Sequence, residues 1–337
     1  MPTPNPVLIK ALRGNSVESM HRGSFVVVNA RGEEKLSAGD IENPVFPRSG
    51  VKPIQALALI ETGAAKRFGL GHANLALACG SHNGETTHTE IIENWLKKVQ
   101  CGVDDLVCGP SLPWTQEGKK LLFENGKTGT SLHDNCSGKH TAFLSIAKHL
   151  GYPTLGYNRL DHPVQKLVIQ ILEEMTGLEL FKAPMGIDGC GIPTIAIPLS
   201  KLALAMARLG DPHDQCKERQ ASCSRIRRAI AAEPYLFGGK NRFCTRVIDA
   251  LGESALVKTG AEGVYCATLT KIGLGVAIKI DDGGRRGAEA VMMRLLIKLG
   301  VLTENAKGRL LNLLEPPIFS RSGEVVGLIC ADHQALR

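Results

Sequence analysis

Three short strings, met in one order along the chain, constrain it more than any bulk property. They are Ser49-Gly-Val-Lys52, Ser81-His-Asn83 and Lys258-Thr-Gly260, which read as SxxK, SxN and KTG. A serine hydroxyl is a poor nucleophile at neutral pH and needs a base within hydrogen-bond reach. A lysine three residues on along a helical turn lies on the same face and serves as that base once it sheds its proton. Lys258 supplies a second cation. The set calls for a helical turn early in the chain and a strand late in it to meet at one place. It points to nucleophilic acyl-transfer chemistry at an amide.

The chain also contains decoys, and their context separates them. Ser145-Ile-Ala-Lys148 is a second SxxK and Lys127-Thr-Gly129 a second KTG. Lys148 falls inside an apolar-periodic helix with no SxN after it. Lys127 sits among Asn125, Gly126 and Gly129, which form turns rather than strands. Lys258 instead follows Ala255-Leu256-Val257, and β-rich residues continue through Val264-Tyr265-Cys266 to Leu269, as a strand requires.

At 337 residues the chain is long enough for a large core and two lobes within one architecture. Its net charge of +7 is spread among scattered Lys, Arg, Asp and Glu, with no basic block or aromatic-basic array. Nucleic acid is therefore not an expected partner. The positive field would attract an acidic or zwitterionic small molecule. No apolar stretch is long and charge-free enough to span a membrane, and the start, Met1 to Pro6, lacks the apolar core of a leader. The ten cysteines then read as reduced thiols, mostly buried, and the cytoplasm is the expected location.

The elements imply an α/β chain of the α+β kind, with an antiparallel sheet from the N- and C-terminal segments and a helical lobe between them. One domain spans 1–337. Its sheet lobe draws on strands at about 20–45 and on about 240–337, and about 50–239 is mainly helical. Phe25-Val-Val-Val28 and the residues after the Ala30-Arg-Gly32 turn make an N-terminal hairpin. Helices are expected over Thr89–Val99, Gly138–Leu150, Val164–Met175, Ser200–Leu209, Cys216–Ala232 and Gly287–Leu299. Strands are expected over Ala255–Leu269 and Lys271–Ile280, with a hairpin-like stretch at Ile318–Leu328. Pro53 pushes Lys52 away from the α region, so the turn carrying Ser49 should be irregular or 3₁₀, where positions three apart still align. The site should lie between the lobes.

The ordered strings are the signature of serine acyl-transfer enzymes with penicillin-binding-protein and β-lactamase architecture. Their neighbourhoods resemble the rhizobial-type, or class 3, L-asparaginases. The similar segments are Phe46-Pro-Arg-Ser-Gly-Val-Lys-Pro53, Ala78-Cys-Gly-Ser-His-Asn-Gly-Glu85, His133-Asp-Asn-Cys-Ser-Gly-Lys-His140, Gly186-Ile-Asp-Gly-Cys-Gly191 and Lys258-Thr-Gly-Ala-Glu-Gly263. The resemblance implies a serine β-lactamase-like fold, a homodimer, and hydrolysis of L-asparagine to L-aspartate and ammonia. It makes Ser49 the nucleophile and Lys52 its base, with Ser81 and Lys258 as a second Ser–Lys pair relaying protons. Arg48 is similar to the family's arginine beside the nucleophile, which helps hold a substrate carboxylate. Asn83 and Asp188 join it as substrate-binding positions.

Cys136, Lys139 and Cys190, with Asp188 close by, resemble the family's zinc site. Spacing alone makes the two cysteines ordinary buried thiols, and a lysine must lose its proton before binding metal. The resemblance implies zinc as a cofactor that positions substrate rather than activating water. His82, His133 and His140 read first as satisfied polar residues, because a Ser–His–Asp triad needs a poised His–carboxylate pair. The rival readings are a β-lactamase or D-alanyl peptidase, which shares the three strings, and a glutaminase. One methylene separates glutamine from asparagine, worth only about 1–3 kcal/mol in a pocket. The non-enzyme reading is a zinc-stabilised binding protein for an acidic ligand.

Overall fold

The computed structural model describes residues 4–332; the ends of the expected 1–337 domain, residues 1–3 and 333–337, lie outside the described residues. The chain divides into two compact units. One comprises 1–50, 197–211 and 246–337, and the other 51–196 and 212–245.

The first unit is built on an eight-stranded sheet. From edge to edge the order is Pro317–Phe319, Val325–Ala331, Val7–Arg13, Ser16–Asn29, Leu274–Ile280, Val264–Leu269 and Leu256–Thr259, with Glu34–Ala38 also pairing on Ser16–Asn29. Every pairing is antiparallel. This is the α+β architecture expected, with the sheet drawn from both ends of the chain. Phe25, Val26, Val27 and Val28 are all at most 2% exposed, so this run is covered on both faces. That explains why its sequence lacks polar alternation. Burying each such side chain contributes about 1.5–3 kcal/mol.

Helix Leu199–Gly210 packs on the strands Leu274–Ile280 and Ser16–Asn29. Gly275 makes that approach possible. A Cβ there would lie 2.1 Å from the Ala203 carbonyl oxygen and 2.3 Å from the Ala207 nitrogen. Helix Arg285–Lys298 packs against Leu274–Ile280, Val7–Arg13 and Val325–Ala331. Lys258 sits on the strand at one end of the sheet order, in register with Cys266. The expected continuous strand over 255–269 is in fact two strands, broken by a turn at 261–263.

The second unit is mainly helical. Helix Pro163–Thr176 shows why its sequence folds that way. Val164, Val168, Ile171, Leu172 and Met175 make one buried face. Pro163 occupies the first turn, His162 Nδ1 accepts from the Val164 N–H at 3.2 Å, and Gly177 ends the helix at φ +73°. Arg219 ties three helices together through Glu61, at 2.5 Å, and Glu174, at 2.7 Å. Helix His72–Cys79 was not anticipated, because His-Ala-Asn-Leu-Ala-Leu-Ala-Cys is buried nearly all round and leaves no amphipathic period to read. A small hairpin, Met185–Ile187 with Pro193–Ile195, interrupts the block expected to be helical. It brackets Asp188 and Cys190. Among the described residues no helix is long and apolar enough to cross a membrane.

Candidate active site

Ser49 lies on a 3₁₀ turn, Arg48–Val51, that runs straight into helix Lys52–Gln55. The expected 3₁₀ turn is present, but Lys52 is not pushed out of the α region: it opens the helix, with Pro53 in the first turn where its missing N–H costs nothing. Arg48 has φ +50°, a left-handed conformation that a non-glycine residue adopts only when its surroundings impose it. The Gly50 N–H bonds back to the Pro47 carbonyl at 2.9 Å, closing the turn. Within the first unit, the KTG segment flanks this turn. A Cβ on Gly260 would lie 2.8 Å from the Pro47 oxygen, and one on Gly50 would lie 3.0 Å from the sulfur of Cys266. A side chain at either glycine would push the two segments apart. Lys258 is 1% exposed and its Nζ donates to the Thr259 carbonyl at 2.8 Å.

In the second unit, Lys52 is fully buried. Its Nζ donates to the Gly80 carbonyl at 2.6 Å, to Ser81 Oγ at 3.0 Å and to the Asn135 carbonyl at 3.1 Å. The three acceptors decide what this lysine can do. An ammonium fills all of them. A neutral amine keeps its two N–H bonds on the carbonyls and turns its lone pair to the Ser81 hydroxyl, which then donates. One geometry therefore serves both protonation states, as a proton relay requires. Ser81 is held by its own N–H on the Phe237 carbonyl at 2.9 Å. Asn83 is 1% exposed and its Nδ2 donates to the Lys240 carbonyl at 3.2 Å.

The cysteine–lysine set is also brought together inside this unit. Lys139 Nζ donates to Cys190 Sγ at 3.1 Å, and Cys136 immediately precedes the helix Ser137–Leu150 that carries Lys139. A hydrogen bond from the Cys190 thiol, aided by the charges of Lys139 and Lys52, outweighs burial and holds Cys136 well below the usual thiol range. The same hydrogen bond, with burial, pushes Cys190 up. Burial works against the charge on Lys139, but Cys136, Cys190 and Asp188 outweigh it and raise that group. Asp188 opens a tight turn in which its carbonyl accepts from Gly191 N–H at 2.8 Å. Among the described residues, no three His, Cys, Asp or Glu side chains gather as a metal-ligand group.

A family model described as L-asparaginase II matches residues 9–331. The chain belongs to the L-asparaginase II family. Among solved structures, a β-lactamase from Mycobacterium bovis is similar to this chain at a TM-score of 0.41 and 13% identity, over 82% of this chain and 94% of that one. A search of curated proteins gave no match.

In this L-asparaginase II family chain His82 and His133 are committed elsewhere, whereas His140, expected to be satisfied, keeps a buried Nε2 with no hydrogen-bond partner. His82 Nδ1 accepts the Gly84 N–H at 3.0 Å, and its Nε2 lies 3.0 Å from Ser137 Oγ. The Ser137 hydroxyl already donates to the Leu132 carbonyl at 2.9 Å, so His82 must donate from Nε2. His133 Nδ1 accepts the Thr130 N–H at 3.0 Å. His140 Nδ1 sits 2.6 Å from the Tyr157 hydroxyl, whose oxygen accepts from Val107 N–H at 3.2 Å. Burial holds His82 and His140 well below the ordinary imidazole range and lowers His133.

Several residues around these groups escaped the sequence reading. Asp134 Oδ1 accepts the Cys136 N–H at 2.8 Å, and burial with the Cys136 charge pushes its carboxyl up to about 6. Cys108 is electrostatically linked to Asp134, Cys136 and Lys139, and burial raises its thiol. Arg242 stacks over Trp114, 4.8 Å from the ring centroid. Asp134 lies inside a quoted segment and was legible there; Cys108 and Arg242 carry no spacing signal.

Proposed function

We propose that this chain is an L-asparagine amidohydrolase, producing L-aspartate and ammonia through an acyl-enzyme on Ser49. The buried Lys52–Ser81 pair, in a chain of the L-asparaginase II family, is the observation that carries this reading. As Ser49 attacks the side-chain carboxamide carbon, the neutral Lys52 amine turns its lone pair from Ser81 to the Ser49 hydroxyl and takes its proton. Backbone N–H groups hold the tetrahedral oxyanion, one from Ser49 and one from the turn just past Gly260. Ser81 and Lys258 relay the proton to the leaving ammonia. Water then cleaves the β-aspartyl ester on Ser49, with the same groups acting in reverse. Arg48, Asn83 and Asp188 contact substrate. The protein acts as a homodimer in the cytoplasm, on a small molecule.

Zinc belongs to the same proposal. Two buried sulfurs and an amine 3.1 Å from one of them make a donor set that fits it by chemistry, with Asp188 beside them. Cys136, Lys139 and Cys190 would hold the ion, which would supply fixed positive charge and draw the proton from Lys139. The proton transfers of the reaction stay with the Ser–Lys pairs.

Ammonia release from L-asparagine, L-glutamine and a chromogenic β-lactam tests the reading. Turnover of asparagine well above the other two is expected. Turnover of the β-lactam alone would overturn it, and silence on all three would favour the binding-protein reading.

A further inference from the structure

We propose that Arg242 holds the α-carboxylate of the amino-acid substrate, with the side-chain oxygen of Asn83 receiving its α-ammonium. This rests on the amidohydrolase reading above. In one cluster of the second unit Arg242 Nη1, a donor, and Asn83 Oδ1, an acceptor, are buried without hydrogen-bond partners, beside a third such atom, Glu85 Oε2. Buried polar atoms are ordinarily paired. The first two are opposite in type and do not pair with each other.

The amide orientation of Asn83 follows from its partners. Its Nδ2 donates to the Lys240 carbonyl at 3.2 Å and faces Glu85 Oε1 at 3.5 Å, both acceptors, so the oxygen must be the other end. The Trp114 main-chain N–H donates to the Asn83 main-chain carbonyl at 2.7 Å, while the Trp114 ring lies under the Arg242 guanidinium at 4.8 Å. The Arg242 main-chain N–H reaches the Gly239 carbonyl at 3.5 Å. Gly239 is pressed on Asn83, since a Cβ there would lie 2.3 Å from Asn83 Cγ. Asn83, Trp114, Arg242 and Gly239 thus form a closed ring of contacts that carries both unpaired side chains, with Asn83 two residues from Ser81 in sequence. A guanidinium suits a carboxylate, and an amide oxygen suits an ammonium. An α-amino acid supplies both.

The test uses the Ser49→Ala chain, which retains substrate, and calorimetry with L-asparagine and with 3-aminopropanamide, the same amine and amide without the carboxylate. L-Asparagine should bind about 10–150-fold more tightly, the range of a charged hydrogen bond. Arg242→Met should abolish that preference by weakening asparagine alone, and Arg242→Lys should restore part of it. Arg242→Lys also serves if the methionine variant fails to fold. In an otherwise active chain, Arg242→Met should raise KM and leave kcat nearly unchanged, because the contact is equal in ground and transition states. A preference that survives in both Arg242 variants would overturn the proposal, as would its loss in Arg48→Met instead. Asparagine binding that depends on Arg242 without any ammonia release would refute the hydrolase reading and leave this one standing.

Discussion

Lys52→Met removes one buried amine and little else, so it separates chemistry from packing. All three of its partners, the Gly80 and Asn135 carbonyls and the Ser81 hydroxyl, are uncharged. The substitution therefore breaks no direct ion pair, the usual source of a 3–5 kcal/mol loss, although Cys136 and Asp134 lose the longer-range support of its charge. It does leave the Gly80 oxygen unsatisfied in a buried position, at about 1–3 kcal/mol, and the carbonyl of Asn135, an exposed residue, at less. Relief of the desolvated amine opposes both. The net destabilisation should stay below about 3 kcal/mol, read as a shift of urea midpoint with an unchanged slope. Activity should fall much further, by about 10²–10⁴ for loss of the general base alone. Ser81→Ala should cost less, and adding it to Lys52→Met should cost almost nothing more, because residues acting as one unit are not additive. A stable Lys52→Met chain releasing ammonia within about tenfold of wild type would refute the relay, since the lower bound for a general base is about 10².

Four further outcomes are expected. Ser49→Ala should abolish ammonia release with the fold intact, and acid-quenched wild type should carry an aspartyl adduct on Ser49; near-normal turnover in the variant would remove it as nucleophile. Cys136→Ser or Cys190→Ser should lower bound zinc and raise KM more than it lowers kcat, with effects of about 10–100-fold; an unchanged KM in chelated enzyme would detach zinc from substrate binding. Gly239→Ala, at φ +103° with its Cβ 2.3 Å from Asn83 Cγ, should displace that side chain and weaken substrate binding; a normal KM would contradict this. His82, His88 and His140 are depressed, chiefly by burial, so the unfolded chain takes up protons first and the stability they contribute above about pH 6.5 is lost as pH falls, at about 1.4 kcal/mol per unit per histidine. Asp134, raised to about 6, acts in the opposite sense but is a single group. Urea midpoints should therefore drop between about pH 6.5 and 5.5, and a flat profile there would rule out three neutral buried imidazoles.

Local rules in the sequence determined a good part of this protein. The 3₁₀ turn at Ser49 matches the expectation, but Lys52, the residue that Pro53 constrains, opens an α-helix instead of leaving the α region. The apolar period of Val164 to Met175, with Pro163 before it and Gly177 after it, dictated a helix with its ends. Lys127 falls in a loop and Ser145 in a helix, its hydroxyl donating to the Thr141 carbonyl at 2.7 Å, as their neighbours implied. Such signals act over one or two turns and need no knowledge of the rest of the chain. Tertiary structure alone decided the partners. Lys52 finds acceptors 28, 29 and 83 residues away. The Ser137 hydroxyl, through its bond to Leu132, sets which nitrogen of His82 carries the proton. Leu199–Gly210 reads as one more helix, yet its place on the sheet depends on the missing side chain of Gly275, in a strand far along the chain. Arg242 acquires meaning only beside Trp114 and Asn83. Spacing along the chain encodes which face a residue occupies, whereas hydrogen-bond partners and buried unpaired atoms arise only when distant segments close on one another and exclude water.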